Sequence, residues 1–253
     1  MSKEELLHPL DPMFCLPGYE GLLEQQFNFD HMPVLKDGNG TKVLQLDYAG
    51  ELLVVRTPGF NMNEDSDIED EPSTEELMHS RIQALRHGLG RSGLEQMVYY
   101  RLDTPPLVIT KHAGTALDRL TEETINKIDR EVLTKALKDL GPAAQAGLVP
   151  DVATMDNTVF SASLGLTFID YSMELNSQVT TGEIAFAKFL KYIIEEQYFP
   201  HEQDIEQAWR KVVITGLNVL HESLPDTRVK DNRLQKVISN IIYALKISRS
   251  YEN

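Results

Sequence analysis

Polar and apolar positions alternate with the period of a strand in the first half of the chain and recur with helical spacing in the second half. The tetrapeptide Asp-Gly-Asn-Gly at residues 37–40 is a strong tight-turn signal, and residues 47–50 form a second one. The segments joined by these turns are expected to form an antiparallel meander. The pattern predicts five strands in this half, at residues 33–36, 42–46, 51–56, 94–102 and 107–110.

A helix is expected between the third and fourth of these strands. Ser73 and Glu76 have the spacing of a capping box, and Gly88 marks the end of the helical pattern. Further helices are predicted at residues 116–128, 129–140, 181–198, 202–224 and 231–248. Two short strands interrupt this series, around residues 158–160 and 166–169.

A strand-rich part followed by a helical part predicts an α+β chain in two lobes. The expected organisation is an N-terminal arm over residues 1–30, a strand-rich N-lobe over residues 31–113 and a helical C-lobe over residues 114–253. The two lobes would join near residues 111–115, where the pattern is interrupted.

Composition and charge argue against a nucleic-acid-binding surface, a membrane-spanning segment and a cleaved secretory signal. The chain has 253 residues and a formal net charge of −15, which argues against a general surface for nucleic acid or anionic membranes. The sequence contains no apolar run near the ~18 residues that span a bilayer. The N-terminus carries acidic residues where a secretory signal would be apolar. We therefore expect a soluble, cytoplasmic protein, with secretion without a cleaved signal left open.

Candidate chemistry is concentrated between Gly147 and Ser172. Asp151 and Asp170 are two acidic positions in this stretch, and Asn157 lies between them. Carboxylate and amide oxygens suit a hard cation such as Mg²⁺, and Asp151 could also accept a proton. An ordinary acidic hairpin would show the same residue types, because Asp and Asn favour turns.

The order of elements and several short motifs resemble the protein-kinase-like fold. Gly38-Asn39-Gly40 looks like a shortened glycine-rich loop, and Val54-Val55-Arg56 stands at the third-strand lysine motif. Residues 107–114 are similar to the strand and hinge that hold adenine, residues 146–151 to the catalytic loop, and residues 169–172 to the Asp-Phe-Gly motif. The resemblance assigns nucleotide contacts to Gly38, Gly40, Arg56, Glu76, Thr110, Lys111 and His112.

The same resemblance implies ATP and Mg²⁺ as cofactors. Asp170 and Asn157 would be the metal ligands, with Asp156 an alternative to Asn157, and Asp151 would orient an acceptor hydroxyl. The implied activity is transfer of the γ-phosphate to a hydroxyl, with a protein as the expected substrate. Transfer of the AMP part would use similar residues.

Departures from the family pattern support a compact, atypical kinase or a degenerate pseudokinase. Arg56 replaces a lysine, and these cations are not interchangeable. Glu76 lies in the first turn of its helix, where a partner of Arg56 would be near the middle, and Val149 replaces a histidine. The loop before Asn157 is one residue longer, and no Ala-Pro-Glu or long activation segment follows Asp170.

Two non-catalytic functions remain open at this point. A pseudokinase would act as a nucleotide-binding or scaffolding module without transfer. An unrelated α+β interaction protein could dock a basic partner through the acidic stretch at residues 63–71.

Overall fold

The structure is a computed structural model that describes residues 10–38, 41–58, 74–103, 105–152, 154–173, 181–196, 203–224 and 231–250. The acidic stretch at 63–71, the turn residues Asn39 and Gly40, and the expected cap Ser73 lie outside the described residues. The chain divides into two compact units. Unit 1 runs to Gly90 and includes Glu95–His112, and unit 2 comprises Arg91–Leu94 and the chain from Ala113 onward.

Unit 1 is built on a six-stranded antiparallel sheet. Its strands are β1 (Met13–Cys15), β2 (Val34–Gly38), β3 (Thr41–Tyr48), β4 (Glu51–Pro58), β5 (Met97–Arg101) and β6 (Leu107–Lys111). They lie in the order β1-β5-β6-β4-β3-β2, so β4 and β6 are central. In the described part of unit 1, helix α1 (Thr74–Gly88) lies between β4 and β5 in sequence.

The two faces of this sheet carry different side chains, because alternate residues of a strand point to opposite sides. Val55 pairs with Ile109, and both belong to an apolar core on the first face. Arg56 pairs with Val108 and therefore points to the second face, where it contacts Thr110. The first face thus carries the apolar core of the unit, and the second face carries a buried charge.

The first face is covered by the chain that precedes β2. Leu22 is fully buried in the core there, and Phe27 packs against Tyr99 with ring centroids 6.3 Å apart. At the edge of the sheet, Phe14 of β1 pairs with Tyr100 of β5. This N-terminal segment therefore contributes the sixth strand and part of the core of unit 1.

Unit 2 is mainly helical. Its helices are α2 (Glu122–Ile125), α3 (Arg130–Gln145), α4 (Gly182–Glu196), α5 (Gln203–Ser223) and α6 (Asn232–Ser250). Asp129 caps α3 by accepting hydrogen bonds from the N–H groups of Glu131 and Val132. Apolar residues of α3 and α4, among them Leu133 and Phe186, are fully buried in the helical core.

Short strands in unit 2 form two small sheets. Strands β9 (Thr158–Ser161) and β10 (Gly165–Phe168) make a hairpin to which β7 (Thr115–Ala116) adds an edge. Strands β8 (Leu148–Pro150) and β11 (Tyr171–Met173) pair with each other. Gly114, before β7, has a φ of 143° and lies against the main chain of Phe160, where a side chain would collide.

The predicted class is confirmed at the level of an α+β chain, with an antiparallel sheet in the N-terminal half and mostly helices toward the C-terminus. The helix predicted at residues 116–128 is wrong. Ala116, Leu120 and Thr121 are extended there, so only a 3₁₀ turn and the one-turn α2 form. Within the described ranges, the helices lack the length and apolar character needed to cross a membrane.

Candidate functional site

The two acidic positions of the Gly147–Ser172 stretch lie beside each other in unit 2. Strands β8 and β11 pair with Tyr171 opposite Pro150, which places Asp151 and Asp170 at the end of the ladder. The N–H of Asp151 donates a hydrogen bond of 2.9 Å to the carbonyl oxygen of Asp170. Two residues that are distant in sequence are therefore held together by the main chain.

Asn157 is joined to the same group through the β9–β10 hairpin. Phe168 pairs with Thr158, and the next contact continues the ladder, because the N–H of Ile169 donates to the carbonyl oxygen of Asn157 at 3.0 Å. Asn157 therefore lies beside the residue that precedes Asp170. The structure brings Asp151, Asn157 and Asp170 into one loop cluster, which we call the 151/157/170 cluster.

Buried residues fix the chain on which the cluster is built. Phe168 is fully buried, packs edge to face on Phe189 at 5.7 Å between ring centroids, and donates its N–H to the carbonyl oxygen of Gly93 at 2.8 Å. Val152 and Met155 are buried in the loop between β8 and β9. Apolar packing therefore holds the loop while its polar residues stay at least partly accessible.

The exposure of the three side chains suits binding from solution. Asp151 is exposed, whereas Asn157 and Asp170 are half-buried. Within the described part of the chain, no three His, Cys, Asp or Glu side chains are placed to hold a metal ion by themselves. The available donors, one carboxylate and one amide at the predicted metal position, fit Mg²⁺, which usually keeps several waters and takes phosphate oxygens from a substrate.

Asp156 and Asn157 occupy neighbouring positions in the 3₁₀ turn Met155–Asn157, and both are half-buried. The main-chain contact with Ile169 belongs to Asn157. This contact places the main chain of Asn157, and not that of Asp156, beside the residue before Asp170.

In unit 1, Arg56 belongs to a buried polar network. Its Nη1 donates to Thr110 Oγ1 at 2.9 Å and lies 2.6 Å from Glu95 Oε1. Thr110 Oγ1 donates to the same Glu95 oxygen at 2.7 Å. Only 4% of Arg56 and 1% of Glu95 are exposed, so this ion pair lies inside the unit. Arg81 of α1 approaches Glu95 Oε2 at 3.6 Å.

The carboxylate that contacts Arg56 is therefore Glu95, which the sequence interpretation did not select. Glu76, the acidic residue considered there, is exposed near the start of α1. Glu95 could have been noticed from its position, because it is a lone acidic residue between Leu94 and the apolar run of β5. Its partners on β4 and β6 are far away in sequence, however, and sequence spacing does not indicate them.

Lys111 lies on the opposite face of the sheet from Arg56, because it pairs with Leu53. Its Nζ is 3.4 Å from Glu51 Oε1 and 5.4 Å from the centre of the Tyr19 ring. The Tyr19 hydroxyl donates to Glu51 Oε2 at 2.6 Å. The contact with Tyr19 and the Glu51 carboxylate raise the pKa of Lys111. Lys111 thus helps to fasten the N-terminal segment to the sheet.

The remaining expected nucleotide contacts are at the ends of strands. The N–H of His112 donates to the carbonyl oxygen of Leu52, and desolvation lowers the pKa of the His112 side chain. Gly38 ends β2 and pairs with Thr41, whereas Gly40 lies outside the described residues. Of the expected contacts in unit 1, the described side chains of Arg56 and Thr110 are the two brought into direct contact.

Comparison with known proteins adds no family name to these findings. No protein-family model matches the sequence, and no curated protein matches it significantly.

Proposed function

We propose that this chain is an atypical kinase-like protein that uses ATP and Mg²⁺ to transfer a phosphoryl group to a hydroxyl, with a protein as the expected acceptor. The observation that carries the proposal is the 151/157/170 cluster, in which main-chain hydrogen bonds hold Asp151, Asn157 and Asp170 together. Strand β8, which precedes Asp151, pairs with β11, which follows Asp170. Strand β9, which follows Asp151, pairs with β10, which precedes Asp170. An accidental acidic hairpin would not require both pairings.

The order of elements supports the same proposal within each unit. In unit 1, a hairpin leads to a central strand, one helix and two further strands of the same sheet. In unit 2, a long helix leads to β8, a loop with Asp151, a hairpin, and β11 paired back on β8. The resemblance to the protein-kinase-like fold rests on these two orders of elements.

Each residue of the cluster has a defined task in this proposal. Asp170 and Asn157 would hold Mg²⁺ through their side-chain oxygens. Asp151, the most exposed of the three, would orient the acceptor hydroxyl and take up its proton. When bound, ATP would supply the phosphoryl group, and Mg²⁺ would supply positive charge that balances the negative charge of the phosphates. Catalysis of this kind depends on positioning, which the paired strands provide.

A pseudokinase is the second candidate, and one observation favours it. Arg56 is almost completely buried in its ion pair with Glu95 and its contact with Thr110. A cation held in this way is less available to a phosphate than an accessible lysine would be. The chain would then bind nucleotide without transferring a phosphoryl group.

Transfer of radioactive label from ATP to protein distinguishes a kinase from a nucleotidyl transferase and from a pseudokinase. The purified full chain is incubated with γ-labelled ATP and Mg²⁺ or Mn²⁺, in parallel with Asp170→Asn and with Asp118→Asn, an exposed-carboxylate control. Label on protein that depends on Asp170 and not on Asp118 supports the kinase. Label from α-labelled ATP alone indicates nucleotidyl transfer, and binding of MgATP without any transfer indicates a pseudokinase.

A further inference from the structure

We propose that the outward side of α6 is a docking surface for the acidic stretch, residues 63–71, of a second copy of this chain. This inference goes beyond nucleotide binding and does not depend on it. Its structural basis is a helix face on which exposed apolar side chains lie between lysines, in a chain of formal net charge −15. The surface, which we call the α6 outer face, comprises Lys236, Ser239, Ile242, Tyr243 and Lys246.

Helix α6 packs in unit 2 with its opposite side. It lies against α4, and its residues Leu234 and Ile241 are buried. Tyr243 follows Ile241 by two positions and Leu234 by nine, which in both cases is about half a turn away around the helix. The α6 outer face therefore points away from the packed side, and packing within unit 2 does not account for its apolar residues.

Ile242 and Tyr243 are exposed on the side where a surface helix is expected to be polar. Tyr243 is 67% exposed, the largest fraction among the exposed large apolar side chains of the described residues, and Ile242 is 42% exposed. A single exposed apolar residue is ordinary, but two neighbours with a polar rim have the composition of an interface. Tyrosine is also among the side chains that contribute most to binding energy. The α6 outer face therefore has an apolar centre that suits a protein partner.

The charges of α6 indicate which kind of partner fits. The helix contains no Asp or Glu, and its basic residues are Arg233, Lys236, Lys246 and Arg249. Arg233 Nε lies 3.7 Å from Asp231 Oδ1, whereas Lys236 and Lys246 are exposed on either side of Tyr243 along the α6 outer face. A segment that presents carboxylates around an apolar side chain therefore complements this face both in charge and in apolar contact.

The same chain contains a segment with the complementary pattern. The acidic stretch at residues 63–71 has six acidic residues and one apolar residue, Ile68, which Asp67 and Glu69 flank directly. The described residues leave the α6 outer face exposed, so we assign the bound stretch to a second copy. Repulsion between the two acidic chains is screened beyond about 8 Å at physiological ionic strength, and the charges in contact therefore decide the sign. A symmetric pair contains this contact twice, which raises the overall affinity.

Sedimentation velocity of the purified full chain, over about two decades of concentration, tests this association. We expect the wild type to pass from monomer to dimer as the concentration rises. The α6 variant carries Lys236→Glu and Lys246→Glu, and the stretch variant carries Asp67→Lys and Glu69→Lys. Each should raise the dissociation constant of the dimer at least about tenfold, because like charges then face each other.

Two further variants separate the specific contact from general effects of charge. The matched control carries Lys138→Glu and Lys211→Glu, on exposed lysines of α3 and α5, and should change the dissociation constant less than about twofold. Ile242→Ala keeps every charge and should weaken the dimer at least about threefold, because apolar contact is lost. All the α6 positions changed are exposed, so circular dichroism of these variants should match that of the wild type.

A mixture of the α6 variant and the stretch variant tests whether the two surfaces contact each other. In the mixture, the unchanged acidic stretch of one chain meets the unchanged lysines of the other, and the two reversed surfaces are also complementary. We therefore expect a heterodimer with an affinity within about tenfold of the wild-type dimer, at concentrations where each variant alone is monomeric. This recovery also shows that both variants are folded.

Several results would overturn the inference. A wild type that stays monomeric throughout the concentration range is one, and an equal loss of association in the Lys138 and Lys211 control is another. A mixture of the two reversed variants that stays monomeric would show that the acidic stretch does not contact α6. Vesicles containing phosphatidylserine supply the remaining arm. Their binding by a monomeric wild type, lost in the α6 variant, would assign the α6 outer face to an anionic membrane instead.

Discussion

The main-chain N–H of Asp151 lies 2.9 Å from the carbonyl oxygen of Asp170 and donates a hydrogen bond to it. This contact extends the ladder between β8 and β11 by one pair and brings two acidic side chains to the same end of it. Their proximity is therefore a property of strand pairing, which is insensitive to small changes in side-chain conformation.

The first prediction distinguishes the amide of Asn157 from the carboxylate of Asp156 as the second ligand of Mg²⁺. Asn157→Ala should raise the Mg²⁺ concentration required for half-maximal MgATP binding at least about tenfold, because one metal ligand is lost. Asp156→Asn should raise it less than about twofold. Titration of Mg²⁺ at constant ATP measures both values. The reverse result would assign the ligand to Asp156.

The second prediction concerns the hydrogen bond that fastens the N-terminal segment to the sheet. Tyr19→Phe removes the hydroxyl that donates to Glu51 Oε2, which should lower the free energy of unfolding by about 1 kcal/mol at pH 7. Burial, followed by the contact with Glu51, raises the pKa of Tyr19 above its usual value. The contribution of the hydroxyl is therefore present below about pH 10 and lost as the pH rises through the raised pKa.

Denaturant unfolding at neutral and strongly alkaline pH checks this prediction. The control is Tyr243→Phe, since Tyr243 is 67% exposed on α6. Equal stability of Tyr19→Phe and wild type at pH 7 would show that the contact contributes nothing. A difference that grows with alkaline pH would contradict the sign argued above.

The third prediction uses the close approach of α3 and α4. A methyl group at Gly182 would lie 2.7 Å from the Cα and N of Gly141, and main-chain atoms cannot give way easily. Gly182→Ala should therefore cost about 1–3 kcal/mol of unfolding free energy, as overpacking does. Gly141→Ala is the matched control, because a methyl group there meets no described atom within 4 Å.

Within a helix, alanine is favoured over glycine by roughly 0.5–1 kcal/mol, but Gly141 precedes Pro142, and a Cβ before proline is disfavoured in helical conformation. These two effects oppose each other, so Gly141→Ala should lower the stability by less than Gly182→Ala. Thermal unfolding of both variants measures the difference. An equal or larger loss for Gly141→Ala would mean that the approach of the helices is not the limiting contact.

Local signals accounted for much of the fold. Asp129 was expected at the boundary of a helix, and it caps α3. The helix continues to Gln145, past Pro142, which the sequence pattern did not anticipate. The helical spacing at residues 116–128 was misleading, because the same apolar residues are buried from extended segments and short turns.

Non-local contacts explain what was missed. β1 lies between Pro12 and Pro17, which favour a loop locally, and it becomes a strand because Phe14 pairs with Tyr100. Glu95 gave a weak local signal as an acidic residue in an apolar run, but its partner Arg56 could not be inferred from spacing. The grouping of Asp151 with Asp170 was expected from the resemblance, whereas the hydrogen bond that joins them follows only from strand register.

Calorimetric titration of MgATP into the wild type and Asp170→Asn tests the central claim most directly. The account predicts that the wild type binds, that Asp170→Asn binds at least about tenfold more weakly, and that chelation of Mg²⁺ removes the difference between them. Asp118→Asn should bind as the wild type does. Absence of binding by the wild type, or equal affinity of Asp170→Asn in the presence of Mg²⁺, would contradict the account.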